Sequence, residues 1–216
     1  MGTIVNERIV DYINSLDKGN SLVCNAIEKE ALADGVPIIR KEMGNLLKVL
    51  LLLKQPQKIL EVGTAVGYSS ILMSENMPEN CRITTIENYE KRIPVAKNNF
   101  KRAGKEEVIT LLEGDAMDIL KELDGMYDFI FMDAAKGQYI NFLPELLRLM
   151  PVGGLLISDN VLQEGDIVES RYGVTRRNRT IHTRMREYIY TLTHAEQLET
   201  SIVPIGDGIT LSVKKG

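Results

Sequence analysis

Residues 57–77 read QKILEVGTAVGYSSILMSENM, and the character of the stretch changes at its glycines. Before Gly63, the run Ile59, Leu60 and Val62 is short and apolar, the pattern of a buried strand. After Gly67, YSSILMSENM reads as a helix. Gly63 and Gly67 bracket a tight turn between the two, where glycine allows positive φ and a close backbone approach to a ligand. Glu61 is an acid inside the apolar strand end.

Downstream the same alternation repeats. CRITTIE, EVITLLEGD, YDFIFMDAAKG and GGLLISDNV read as strands, with EKRIPVAKNNFKRAG, AMDILKELDG and YINFLPELLRLM as the helices between them. Strands alternating with helices predict a mainly parallel sheet covered on both faces. After one more helix, RNRTIHTRMREYIYTL, the segment TSIVPIGDGITLSVKK reads as two strands around Gly206-Asp207-Gly208. Asp-Gly is a hairpin signal, so the last strand is expected to run antiparallel to its neighbours. Upstream, the first 55 residues look helical: Ile4, Ile9, Ile13 and Leu16 fall near a helical period, as do Ile27 and Ala31. A third helix is expected over Lys41–Lys54, with Met43, Leu46, Leu47 and Leu50 facing inward.

Composition narrows the function class. The chain has 216 residues, 44% of them apolar and 26% charged, with a net charge of −4. No global attraction to nucleic acid or anionic membranes follows, although a local basic patch is compatible with this balance. Cys24 and Cys81 lie far apart and in no metal-ligand spacing, which predicts reduced thiols rather than a disulfide framework. MGTIVNERIVDYINSL lacks the apolar core of a signal peptide, and the longest apolar run, Val49–Leu53, is too short to span a bilayer. The expectation is a soluble, cytoplasmic protein with one domain over residues 1–216: a helical cap over 1–55 and a sheet core over 56–216.

In open α/β sheets, ligands bind beyond the carboxyl ends of the strands, so the residues there carry the functional reading. The glycine turn lacks the three glycines of G-x-G-x-x-G, which counts against a nicotinamide enzyme. Glu87 ends the second strand, roughly 20 residues after that turn, where a carboxylate can accept both hydroxyls of a ribose. Asp115 suits two roles equally, capping the next helix or accepting from an amino group. Asp133 ends the fourth strand with Lys136 three residues on, and Asp159 and Asn160 end the fifth. Asp and Asn cap turns well. At two adjacent strand tips beside a lysine, however, they make an oxygen-ligand set suited to Mg2+, with no Cys or His nearby to suggest zinc.

Together ILEVGTAVGYSS, TTIE, GDA, FIFMDAAKGQY and ISDNV resemble the metal-dependent class I O-methyltransferases that use S-adenosylmethionine, a group that includes catechol and caffeoyl-coenzyme A O-methyltransferases. The resemblance runs from GVPIIRKEMGNLL to VPIGDGITLSVKK. It implies a Rossmann-like, seven-stranded, mainly parallel sheet with an antiparallel C-terminal hairpin strand, helices on both faces and extra N-terminal helices. It also implies that Gly63, Glu61 and Ser69 line the methionine part of the cofactor and that Glu87 binds its ribose. Asp115 and Ala116 would flank the adenine, with Ile39 covering the cofactor. Asp133, Asp159 and Asn160 would hold the divalent cation, Asp133 also near the cofactor, and Lys136 would occupy the catalytic lysine position. The family is often dimeric, and the apolar N-terminal helices suit such an interface.

The acceptor is read from a local feature. Arg171, Arg176, Arg177, Arg179, Arg184 and Arg186 cluster in SRYGVTRRNRTIHTRMRE, either as a solvated helix face or as a phosphate-binding surface. With DAAKGQY and VPIGDG, the cluster is similar to the bacterial tRNA 5-hydroxyuridine methyltransferases. That implies an anticodon loop as partner, with 5-methoxyuridine as product, and Arg171, Arg176, Arg177 and Arg179 on the RNA. The alternatives are a small catechol-like acceptor, as in the caffeoyl-coenzyme A enzymes, and a cofactor-binding regulator without catalysis. His182 and His194 receive no role.

Overall fold

Strand β1 (Lys58–Val62) is an interior strand, beside the central β4, of a seven-stranded sheet whose order is β3-β2-β1-β4-β5-β7-β6. The computed structural model describes residues 4–216; residues 1–3 of the expected domain lie outside the described residues. The other strands are β2 (Arg82–Glu87), β3 (Ile109–Glu113), β4 (Phe129–Met132), β5 (Leu155–Ser158), β6 (Leu198–Val203) and β7 (Ile209–Lys214). The helices are α1 (Glu7–Ser15), α2 (Leu22–Ala33), α3 (Lys41–Lys54), α4 (Tyr68–Asn76) and α5 (Ile93–Arg102), followed by α6 (Ala116–Glu122), α7 (Tyr139–Leu149) and α8 (Arg179–His194).

The apolar runs of β1 and β4 follow from burial on both faces. Ile59, Phe129 and Phe131 pack with Met43, Leu47, Leu51, Ile71 and Phe100 of α3, α4 and α5. Leu60, Val62, Ile130 and Met132 point the other way, against Leu120, Tyr139, Leu146, Met185 and Tyr188 of α6, α7 and α8. The period of two along a strand sends successive residues into two separate cores. β1 pairs in parallel with β2 on one side and β4 on the other, so the strand order reverses between β1 and β4. That switch point opens a crevice at the carboxyl ends of the strands.

The antiparallel finish is present: β7 runs against both β5 and β6. Its connection differs from a tight Asp-Gly turn. Pro204–Gly208 separate the strands, with Gly206 and Gly208 in left-handed conformations, and Asp207 between them is buried rather than solvated. Pro144 lies well inside α7, on an exposed face where water can satisfy the carbonyl that its missing N–H leaves free. Helix α3 covers the expected span, with Met43, Leu47 and Leu51 buried and Leu46 and Leu50 only partly so. Helix α1 starts at Glu7, capped by Asn6, so Ile4 precedes it, and none of its residues is buried. Cys24 and Cys81 are buried free thiols. Among the described residues no helix is long and apolar enough to cross a membrane.

Candidate active site

The turn between β1 and α4 is shaped by close backbone contact. Gly63 has φ +102° and its N–H donates to the Ile86 carbonyl at 3.1 Å, while Gly67 has φ +84°. A Cβ built on Gly63 would lie 2.1 Å from the Asp133 carbonyl oxygen, so only glycine fits here. Asn99 of α5 pins the turn by donating to the Val66 carbonyl at 2.9 Å. The turn forms one wall of a cavity of about 560 Å³ that Ile39, Ser69, Glu87, Asp115 and Ala116 also line.

Glu87 is buried at the tip of β2, and its carboxylate accepts from the backbone N–H groups of Ala65 (2.7 Å), Asn88 (3.0 Å) and Tyr89 (2.9 Å). This holds the side chain rigidly on the cavity wall, with acceptor capacity left on Oε2, which takes only the Ala65 N–H. Asp115 caps α6 through the Met117 N–H at 2.8 Å, the first of its two readings, and it also lines the same cavity. Glu61 sits behind the turn, fully buried. It accepts from the hydroxyls of Ser69 (2.5 Å), Ser70 and Thr85 (2.5 Å). Burial pushes its carboxyl up to about 7 even though those three hydroxyls pull the other way. Glu61 therefore braces Ser69, which is on the wall, against Thr85 of β2.

The second half of the site follows from one register. β4 and β5 are parallel neighbours with Met132 opposite Ser158, which sets the next residues, Asp133 and Asp159, side by side. Their backbones are fixed by Asp133 N–H to Val62 O and Asp159 N–H to Met132 O, both 2.9 Å. Asp133, Asp159 and Asn160 line an adjoining cavity of about 140 Å³ that shares Ile39 and Asp133 with the larger one. Asn160 adopts φ +57°, a conformation asparagine tolerates better than most residues. Tyr139 braces the pair from below, its hydroxyl donating toward the carbonyls of Asp159 (3.1 Å) and Met132 (3.3 Å).

Desolvation raises the pKa of both carboxyls; Asp159 is raised further by Asp133, and Lys136 partly offsets the rise at each. Neither carboxylate has an ion pair among the described residues, for Lys136 pairs elsewhere. Two adjacent carboxylates, Asp159 buried and Asp133 partly buried, without an ion pair among the described residues, plus a carboxamide oxygen, form a donor set that fits a divalent cation of the Mg2+ type. Among the described residues no cluster of three or more His, Cys, Asp or Glu exists to hold a metal, so any such ion would depend on Asn160 as its third ligand.

Lys136 opens a 3-10 helix (Lys136–Gln138) on the rim of the larger cavity, with its Nζ 3.1 Å from Asp207 Oδ2. Asp207 was legible only as a turn residue. Nothing in IGDG distinguishes a solvated turn acid from one folded inward; only the pairing of β7 with β5 brings it to this place.

The arginines separate into three groups. Arg184 donates to the Gly137 carbonyl (3.0 Å) and Arg186 to the Ile167 carbonyl (3.1 Å), so both tie α8 to the rim. Arg179 lies over the Tyr172 ring, 5.6 Å from its centroid. Arg171, Arg176 and Arg177 are exposed and enter no ion pair among the described residues. His182 is buried in α8, and His194 stacks on Tyr190 at 3.8 Å.

Residues 22–215 match the model of a family described as O-methyltransferase. The chain is 34% identical over 175 residues to a catechol O-methyltransferase of Niastella koreensis, covering 78% of this chain and 79% of the relative. It is 34% identical over 182 residues to caffeoyl-CoA O-methyltransferase 2 of Populus trichocarpa, covering 78% and 71%. Among solved structures, the O-methyltransferase TomG of Streptomyces achromogenes, involved in tomaymycin synthesis and crystallised with S-adenosylmethionine, superposes with a TM-score of 0.85 at 25% identity. The match covers 97% of this chain and 96% of that one.

Proposed function

Because the chain belongs to the O-methyltransferase family, we propose that it moves the methyl group of S-adenosylmethionine, with a divalent cation such as Mg2+, onto a hydroxyl of a small acceptor that presents two adjacent oxygens. One observation carries this reading: the paired carboxylates of Asp133 and Asp159, with Asn160, open into a small cavity beside the larger one walled by Gly63 and Glu87. The larger cavity suits the cofactor, with Glu87 on the ribose hydroxyls, Asp115 and Ala116 at the adenine, and Gly63 and Ser69 along the methionine part. Ile39 covers it. Asp133, Asp159 and Asn160 are the residues that would hold the cation, which lowers the pKa of a coordinated hydroxyl and orients it. Lys136, on the rim of the larger cavity, would act as the neutral amine, its charge disfavoured by the cation, and take the acceptor's proton as the sulfonium methyl is transferred. Holding both reactants in line in a walled site supplies much of the acceleration.

The relatives' names favour a catechol-like acceptor. A second reading, the 5-hydroxyl of a wobble uridine in tRNA, draws on the exposed Arg171, Arg176 and Arg177 and on Arg179 beside Tyr172. A 5-hydroxyuridine also offers two adjacent oxygens, its 5-hydroxyl and 4-carbonyl, and unpaired bases are the usual targets of base-specific RNA recognition. The two are separated by incubating the protein with methyl-labelled cofactor and Mg2+ beside catechol, caffeoyl-CoA or tRNA carrying 5-hydroxyuridine. Label on the small phenols supports the main reading. Label on tRNA alone, reduced by reversing Arg176 and Arg177 to Glu, supports the second. Tight cofactor binding without transfer to any of them sinks both.

The homodimer is part of the same proposal. Ile9, Tyr12 and Ile13 of α1 and Leu16 just after it are exposed, and a short helix that buries no residue is marginal in water. Sedimentation is expected to show two chains per particle, and Tyr12→Glu with Ile13→Glu to release single chains. A wild-type monomer at micromolar concentration would rule the dimer out.

A further inference from the structure

We infer that Arg40 is a specificity-determining residue at the mouth of the small carboxylate cavity, selecting acceptors that carry an oxyanion, a carboxylate or a phosphate, away from their two adjacent oxygens. The inference deepens the proposed function and rests on it. Its ground is an arginine whose stem is fixed against the fold while its charge is left without a partner.

Arg40 follows Ile39, which lines both cavities, and is the last residue before α3. Its backbone is extended (φ −69°, ψ 157°), and its carbonyl accepts the Gly44 N–H at 2.9 Å, so the first turn of α3 sets its position. The stem then lies along the β6–β7 connection. A Cβ built on Gly206 would stand 3.6 Å from Arg40 Cδ, which is ordinary van der Waals contact. Two segments from opposite ends of the chain therefore meet here, and both line the small cavity. Asp159 and Ile39 are buried whereas Arg40 is exposed, so this cavity runs from a carboxylate floor to an arginine at its mouth.

The guanidinium enters no ion pair among the described residues. Acids are close at hand, for Asp133, Asp159 and Asp207 line the same cavity. Asp207 already accepts from Lys136 and from the Glu164 N–H, and Lys136 is the cation that acts on Asp133 and Asp159. Arg40 closes on none of them. It keeps a planar fork of five donors, the shape that matches the paired oxygens of a carboxylate or phosphate.

The proposed acceptor sits between these two ends. Its adjacent oxygens meet the cation at Asp133, Asp159 and Asn160. Pro37 and Ile38, which line both cavities, offer apolar walls to a flat ring. An oxyanion beyond that ring gains charge-assisted hydrogen bonds from Arg40, whereas a neutral acceptor leaves the fork to water.

The test compares acceptors in pairs that differ in charge: caffeate with its methyl ester for a carboxylate, and 5-hydroxyuridine 5′-monophosphate with its nucleoside for a phosphate. With the full-length protein and Mg2+, kcat/KM should favour the anion at least about tenfold in one pair or both, chiefly through KM. Arg40→Met keeps the length and removes the charge; it should bring that ratio to within about twofold of parity. Arg40→Lys should keep part of the preference, since a point charge lacks the fork. An Arg40-dependent preference in the first pair assigns the site to carboxylates, and one in the second to phosphates. A wild-type ratio near parity in both pairs, or a preference that survives in Arg40→Met, overturns the inference. A second measurement needs no turnover. With S-adenosylhomocysteine and Mg2+ present, calorimetry should show the anionic member binding at least about tenfold more tightly to the wild type and not to Arg40→Met. Equal affinities, or no binding of either member, overturn it. A wild-type protein that methylates no acceptor counts against the methyltransfer reading instead, and the binding ratio then decides the role of Arg40 alone.

Discussion

Asp159→Ala is expected to lower kcat for methyl transfer about a thousandfold while leaving S-adenosylmethionine binding within about twofold. Asp159 lines the small cavity and is absent from the walls of the large one, so under the proposed function its loss removes a cation ligand and spares the cofactor cavity. The register of β4 against β5 places its carboxylate beside that of Asp133. A single remaining carboxylate with one carboxamide is a poor Mg2+ site, because this cation needs near-octahedral oxygen geometry. The variant should also stay folded: with this carboxylate gone, its desolvation on burial and its repulsion with Asp133, the two largest causes of its raised pKa, both disappear. Turnover with and without Mg2+, calorimetry with the cofactor and a thermal melt check the three parts. Wild-type turnover that persists in excess chelator would show that Asp159 has no metal role.

Gly63→Ala is expected to damage the fold and the cofactor site together. Two costs act at this residue. Its φ of +102° is one that L-residues avoid, and the added Cβ would lie 2.1 Å from the Asp133 carbonyl oxygen. Both contacting groups are backbone, so neither can swing away as a flexible side chain would. Relief requires separating the tips of β1 and β4, where Asp133 N–H bonds to Val62 O. The destabilisation should be about 3 kcal/mol or more, and any folded fraction should bind the cofactor at least about a hundredfold more weakly. Gly153→Ala is the matched control. It too has positive φ (+76°), but its Cβ would meet nothing within 4 Å, so its cost should stay near about 1 kcal/mol. Equal melting temperatures for the two variants would rule out the close-approach argument.

Much of this site can be read from strand ends alone. The apolar runs before Asp133 and Asp159 show that both acids emerge from buried strands, and adjacency of those strands brings the acids together. Glu87 is legible because its distance from the glycine turn matches one β-α-β step. Other positions depend on which way a side chain turns. Glu61 lies in the same motif as Gly63 yet faces backward onto Ser70 and Thr85, and no periodicity separates a wall residue from its brace. Asp207 reads as a turn because IGDG has the composition of one. Its inward direction follows from long-range pairing of β7 with β5, which local pattern does not encode. The arginine run looks uniform in sequence, but Arg184 and Arg186 hold backbone carbonyls while Arg176 and Arg177 face solvent.

The position of β7 between β5 and β6 also sets an order of assembly on the ribosome. The strands that carry Gly63, Glu87 and Asp133 are complete before residue 134 has been added. Lys136 then waits some 70 further residues for Asp207, its anchor in this fold, and β6 has no neighbour until β7 arrives. A nascent chain can thus shape the wall of the larger cavity early but orders the rim at Lys136 only once β7 has paired and closed the edge of the sheet.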